Sequence, residues 1–351
     1  MKKILITGSG GFLGSHLLEH LLKDTDWNIV CLDRFDTSGN LNRIADTEIW
    51  EKEKHRVKYF YCDLRGEINE SMARLLLNEK DKSMSVPFDY VVHLAAGTHV
   101  DRSISDPLGF VMDNVVGTCN LLNFFRTWKE VALNLQSKIL LFGTDETFGP
   151  APEGVAYKEW DRVNPNNPYA ATKVGEEVLG IAFANTYGLP IVLSNCMNIF
   201  GERQHSEKFV PMCIKKIMNG ETITIHGDKT KTKSGTRFYL HARNVCSAVK
   251  FILEHGKLLD GSATQGKYNI VGDKEVSNLE MAQTIAGILD KELKYEIIDH
   301  HSSRPGHDLR YALNGTLLKE SGWIPPVDYE NSLKKMVEWS IKPEHKHWVG
   351  L

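Results

Sequence analysis

The chain has very little net charge: 42 basic and 45 acidic residues leave −3. That balance excludes a strongly basic nucleic-acid binder, and no nucleic-acid partner is expected. No run approaches 18 consecutive apolar residues, so no membrane span is expected. The six cysteines, at 31, 62, 119, 196, 213 and 246, include no C-x-x-C pair. Scattered thiols in 351 residues suit a reducing compartment rather than a disulfide scaffold. The apolar run within residues 1–6 is too short for a signal-peptide core, so a cytoplasmic location is expected. His300, His301, His345 and His347 lack accompanying cysteines or a repeated carboxylate pattern, so no metal site is expected. No internal repeat, low-complexity tract or flexible linker interrupts the chain. What is present is 42% hydrophobic residues, enough for a sizeable core in two domains or one large domain with a lobe.

Short apolar runs alternate with helical stretches. Strands are expected at 3–7, 28–32, 57–61, 90–94, 138–142 and 191–194. Helices are expected at 12–22, 66–78, 107–127 and 168–187. Near-continuous apolar strands alternating with helices indicate a parallel sheet covered on both faces. Right-handed crossovers then give an α/β, doubly wound Rossmann arrangement. The rhythm changes after about residue 197. Helices at 208–219, 241–255 and 277–289 and strands at 222–226, 267–271 and 293–298 suggest a smaller C-terminal α/β lobe that returns to the main sheet. The polar, basic stretch 227–236 reads as a mobile surface segment or a solvated turn.

Gly8, Gly11 and Gly14 lie between the first strand and the first helix. This spacing allows a tight turn and close backbone approach to a pyrophosphate at a helix N-terminus. Asp33 closes the second strand 19 residues after Gly14. An acid there accepts hydrogen bonds from ribose hydroxyls and repels a 2′-phosphate, which favours NAD over NADP. Arg34 follows at once and could instead accommodate that phosphate. Asp63 and Leu64, ending the third strand, suit either an adenine contact or a helix cap. The chain is thus expected to divide into a dinucleotide-binding domain at 1–197, with later returns near 241–271, and a substrate-binding lobe mainly at 198–351.

Tyr169 and Lys173 stand one helical turn apart. An ammonium about 4 Å from a phenol, at an effective dielectric near 20, contributes about 4 kcal/mol, or roughly three pKa units. That would bring a tyrosine from about 10 towards 7, where it serves as a base. The fifth strand ends in Thr144-Asp145-Glu146. Strand carboxyl ends face the ligand crevice in a doubly wound sheet. Adjacent carboxylates there can divide into a proton donor and a base; they can also simply cap the next segment.

Together these motifs resemble the extended short-chain dehydrogenases/reductases, and within them the nucleotide-sugar 4,6-dehydratases of the dTDP-glucose type. The likeness runs through TGSGGFLG at 7–14, HLAAGTHVDRS at 93–103, DNVVGT at 113–118, TDE at 144–146 and YAATK at 169–173. It continues through NCMNIFG at 195–201, EKFVP at 207–211, YNIVG at 268–272 and RPGHDLRY at 304–311. Asp113 departs from the threonine usual in that family.

The resemblance implies a bound NAD, regenerated in each turnover, lined by Gly8, Gly11, Phe12, Leu13, Gly14, Asp33, Asp36, Asp63, Leu64, Leu94, Ala95, Ala96 and Thr98, with Tyr169 and Lys173. It implies a nucleoside-diphosphate hexose held by Thr98, Thr144, Asn198, Lys208, Arg237, Asn269, Arg304 and His307. Tyr169, assisted by Lys173 and Thr144, would take the 4-hydroxyl proton while the C4 hydride leaves to NAD. Glu146 would take the C5 proton and Asp145 would protonate the departing 6-hydroxyl. Hydride return to C6 then yields a 4-keto-6-deoxy sugar. A homodimer through a four-helix interface of the helices near 107–127 and 168–187 is also implied. Their Phe110, Val115, Leu121, Leu122, Phe124 and Phe125 could face a partner or the sheet. Competing readings are a sugar-nucleotide 4-epimerase or decarboxylase, which would not need both carboxylates, and an inactive NAD-binding sensor, which would not need the tyrosine and lysine.

Overall fold

The alternating runs form a seven-stranded sheet in the computed structural model, which describes residues 1–36, 38–77, 87–299 and 308–351. Its strands are β1 (Lys3–Thr7), β2 (Asn28–Asp33), β3 (Val57–Tyr61), β4 (Phe88–His93), β5 (Leu133–Thr144) and β6 (Ile191–Cys196), with Lys267–Ile270 at one edge. From that edge the order is β6, β5, β4, β1, β2, β3. The pairs β1–β2, β1–β4, β2–β3 and β4–β5 are parallel, and Ile4 stands opposite both Ile29 and Tyr90. The order reverses beside β1, so the switch point lies between the carboxyl ends of β1 and β4.

All five residues of β1 are buried, as a strand covered on both faces requires. The helix Phe12–Asp24 buries Leu17, Leu18, Leu21 and Leu22. Leu121, Leu122, Phe124 and Phe125 belong to the apolar cluster that contains Val30, Val91, Ile139 and Leu193. These aromatic and leucine side chains therefore serve the core of their own chain. The helix Pro168–Tyr187 follows its local signals closely. Asn167 caps it by accepting from the Ala170 N–H, Pro168 occupies its first turn, and Gly188 ends it at φ +62°.

The stretch expected as one helix over 107–127 is three pieces: Pro107–Phe110, a π-helical Val111–Val116 and Gly117–Thr127. A π turn inserts an extra residue per turn and re-aims the side chains that follow. The helices Val100–Ser105 and Tyr329–Ser340 were not anticipated from the pattern.

The chain divides into two compact units. The first holds Met1–Thr147, Asn167–Asn195 and Val249–Tyr268. The second holds Phe148–Asn166, Cys196–Ala248 and Asn269–Leu351. Within the second, the strand Ile223–Gly227 pairs parallel with Tyr295–Asp299, and Thr236–Phe238 pairs antiparallel with Glu275–Ser277. Its core gathers Phe200, Ile214, Ile225, Met281, Ile285 and Met336. The basic segment 227–236 closes as a turn around Asp228, which accepts bonds from Thr230, Thr232 and Lys233. Those bonds hold its carboxyl down at about 2. Arg310 ties the second unit together through Glu275 and the carbonyls of Pro152 and Val155. All six cysteines are free thiols. No helix among the described residues is long and apolar enough to cross a membrane.

Candidate active site

The glycine loop is shaped by contacts that leave no room for a Cβ. Gly8 has φ +69°, and a Cβ there would lie 2.7 Å from the Ala95 nitrogen. A Cβ on Gly14 would overlap the Gly8 carbonyl oxygen and approach Ser9 Cα to 2.7 Å. The helix behind the loop starts at Gly11 with no side-chain cap, so its positive end faces the crevice. Asp33 Oδ2 accepts the Gly10 N–H at 2.8 Å, and its Oδ1 accepts the Phe35 N–H at 2.8 Å. Arg43 braces the loop by donating to the Gly10 carbonyl. Phe12, Leu13, Leu94, Ala95 and Ala96 stay partly exposed around the switch point, and Thr98 is exposed. A narrow backbone cradle at a helix N-terminus, with an acid at the end of β2, is what a dinucleotide pyrophosphate and ribose require. The residues present therefore fit NAD.

Beneath the cradle, His93 at the end of β4 bonds Thr7 Oγ1 at 2.7 Å and Thr118 Oγ1 at 3.0 Å. Burial and the nearby Lys173 charge push this imidazole down to about 3. His93 is therefore neutral across ordinary pH and ties β1, β4 and the helix Gly117–Thr127 together.

The carboxyl end of β5 supplies Thr144, Asp145 and Glu146, the last two on a 3₁₀ turn, Asp145–Phe148. Thr144 Oγ1 donates to Asp145 Oδ1 at 3.0 Å and lies beside the Tyr169 phenol, whose pKa it lowers. Asn167 Nδ2 donates to Glu146 Oε2 at 3.0 Å. The structure thus gathers Thr144, Asp145, Glu146, Tyr169 and Lys173 in one unit.

The expected fall of the Tyr169 phenol towards 7 is corrected by this geometry. Burial, followed by the charge of Glu146, raises its pKa; the charges of Asp145 and Glu176 add to that rise. Lys173 does not cancel this because Nζ pairs with Glu176 Oε2 at 2.5 Å, both side chains being buried. Burial raises the Glu176 acid as well, against the opposing pull of Lys173.

Several supporting residues escaped the sequence reading. Asn114 is fully buried: Oδ1 accepts the Gly97 N–H at 2.7 Å, while Nδ2 donates to the Gly97 carbonyl and Thr172 Oγ1. It thereby pins the loop bearing Thr98 to the tyrosine helix. Ser103 Oγ accepts the Tyr169 N–H. Glu176 sits one turn beyond Lys173, and Asn114 lies inside the DNVVGT motif, so both were visible as residues but not as partners.

Asn198, Lys208, Arg237 and Asn269 lie in the second unit. Asn198 Oδ1 and Asn269 Oδ1 are buried and accept no hydrogen bond among the described residues. Asn269 Nδ2 donates to the carbonyls of Tyr157 and Asn314. Arg237 donates to the carbonyls of Thr236, Asp308 and Leu309 and stacks on Tyr311. Lys208 precedes the helix Phe209–Met218 at its N-cap. Arg304 and His307 fall outside the described residues.

Just beyond β2, Arg34 binds Asp113 with both terminal nitrogens, at 2.5 and 3.1 Å, and Asp36 through Nε at 2.6 Å. Asp63 lies 3.8 Å from it. The carbonyl of Leu64, the residue after Asp63, accepts from Asn120 Nδ2.

Sheet order, glycine loop and the tyrosine–lysine helix define an extended short-chain dehydrogenase/reductase. Comparison with known proteins narrows this class. The chain belongs to the GDP-mannose 4,6 dehydratase family, whose model matches residues 5–336. It is 31% identical to a dTDP-glucose 4,6-dehydratase of Shigella flexneri, over 99% of this chain and 94% of that one. Among solved structures, it matches dTDP-glucose 4,6-dehydratase from Bacillus anthracis in complex with NAD, with a TM-score of 0.81 and 26% identity, covering 99% and 98% of the two chains. A UDP-glucose 4-epimerase complex with NAD from Thermus thermophilus matches at 0.79 and 25%, covering 99% of each.

Proposed function

We propose that this protein is an NAD-dependent lyase that dehydrates a nucleoside-diphosphate hexose, dTDP-glucose or UDP-glucose, to its 4-keto-6-deoxy product in the cytoplasm. The observation that carries the reading is the Asp145–Glu146 pair beside the Tyr169 phenol. An epimerase needs one acid–base group at C4, whereas eliminating water across C5 and C6 needs a base and an acid more. The hydride chemistry of the cycle, removal from C4 and return at C6, would be supplied by bound NAD. Gly8, Gly11 and Gly14 with the helix N-terminus would hold its pyrophosphate, and Asp33 its ribose. Tyr169 Oη takes the 4-hydroxyl proton, with Thr144 Oγ1 fixing the phenol. Lys173 supplies the positive charge that favours the phenolate, and Glu176 sets how much of that charge the phenol feels. The ketone acidifies C5, whose proton goes to Glu146, held in place by Asn167. Asp145 protonates the 6-hydroxyl, which departs as water. Lys208, Arg237 and Arg304 supply charge for the diphosphate, with Thr98, Asn198, Asn269 and His307 as further polar contacts.

Two copies pair through the helices near 107–127 and 168–187 in this reading. Phe110 and the buried leucine and phenylalanine residues there serve the core, so the interface would use the exposed Leu108, Val111 and Val178. The activity test is incubation with dTDP-glucose, and separately UDP-glucose, in deuterated water. Loss of water with deuterium at C5 supports the dehydratase, and the faster substrate identifies the base. C4 inversion without loss of water would instead establish the epimerase.

A further inference from the structure

The residue after Asp33 is an arginine, which in this position offers a ready partner for the 2′-phosphate of NADP. Its surroundings deny it that role. Asp113 engages Arg34 in a two-point bond, the strongest geometry open to a guanidinium. Asp36 takes the remaining Nε edge, and Asp63 stands close by. Asp113 Oδ1 also accepts Arg65 Nε at 2.6 Å. Asp113 is mostly buried, with a side chain 11% exposed, so its charge is poorly screened. Burial opposes ionisation, yet Arg34 and Arg65 keep the carboxyl below its ordinary range.

Three elements meet here. Arg34 and Asp36 follow β2, Asp63 and Arg65 follow β3, and the π-helical turn Val111–Val116 brings Asp113 in from the β4–β5 crossover. The formal charges are +2 from Arg34 and Arg65 and −4 from Asp33, Asp36, Asp63 and Asp113, leaving −2. This patch borders the carboxyl ends of β2 and β3, where the adenosine ribose of a doubly wound fold rests.

We propose that Asp113 determines cofactor specificity: by occupying Arg34 it leaves the 2′ position facing net negative charge, so the dinucleotide with a free 2′-hydroxyl is selected. This rests on the NAD-binding reading above. The test is fluorescence titration of the full chain with NADH and with NADPH. In Asp113→Asn and Asp113→Thr, which remove the charge and release Arg34, the NADPH-to-NADH ratio of Kd values falls at least tenfold. Adding Arg34→Ala to Asp113→Asn reverses most of that fall. The exposed Arg65→Ala works in the opposite sense and raises the ratio several-fold. Ratios within twofold of wild type in Asp113→Asn, Asp113→Thr and Arg65→Ala overturn the assignment of Asp113 while leaving NAD binding intact. Wild-type protein that binds neither dinucleotide overturns the cofactor reading itself, and this inference with it.

Discussion

His93 makes the first unit acid-sensitive in a calculable way. Its ring is fully buried between Thr7 and Thr118, and its pKa lies near 3 against an ordinary 6.5. A histidine depressed in the fold contributes stability that is present above 6.5 and is lost as pH falls towards 3. The full gap is worth about 5 kcal/mol, at about 1.36 kcal/mol per pKa unit. Between pH 7 and pH 4.5, about 3 kcal/mol of it disappears. A His93→Gln chain keeps a donor and an acceptor between the two threonines but cannot gain a proton. Urea unfolding followed by circular dichroism at both pH values measures the loss in each protein. The fixed cost of the substitution cancels, because only the change with pH is compared. Wild type is expected to lose about 3 kcal/mol more than His93→Gln. Equal losses in the two proteins would refute the buried neutral histidine and the assignment of the Thr7–His93–Thr118 relay as the acid-labile tie.

The remaining tests concern the proposed catalytic cluster and buried phenols. Glu176→Gln leaves the Lys173 charge buried without its counter-ion, costing about 3–5 kcal/mol in stability. It also removes one of the charges raising the Tyr169 phenol, so the acid limb of kcat/KM shifts to lower pH; an unmoved limb contradicts the coupling. Asn167→Ala removes a helix cap worth about 1 kcal/mol and the donor holding Glu146. Asn167→Asp restores the cap but not turnover, which thermal melts and product assays separate. Burial raises the phenols of Tyr59, Tyr169, Tyr239 and Tyr329, so their stabilising contribution is present below pH 10 and is lost as pH rises beyond it. Absorbance at alkaline pH is expected to show these four of the 11 tyrosines ionising only with unfolding; their early titration would contradict that burial.

Local information determined much of this protein. The apolar run of β1, the three glycines and the Asn-Pro start of the tyrosine helix are decided by neighbours a few residues away, and those elements lie where the pattern places them. Spacing likewise put Tyr169 and Lys173 on one helical face, because i and i+4 positions share a face whatever surrounds them. Other properties depend on groups that are distant in sequence. The π-helical turn at 111–116 depends on how the crossover packs, and no local signal distinguishes it from a continuous helix. It brings Asp113 to Arg34, 79 residues away, and turns an apparent phosphate-binding arginine into an occupied one. The pKa of Tyr169 follows the same logic. The motif shows the lysine, but desolvation and the charges of Glu146 and Glu176 exist only once the chain is folded. Dihedral preference and periodicity are short-range and legible in one dimension; burial and charge pairing are sums over a three-dimensional neighbourhood, and the tertiary structure alone sets them.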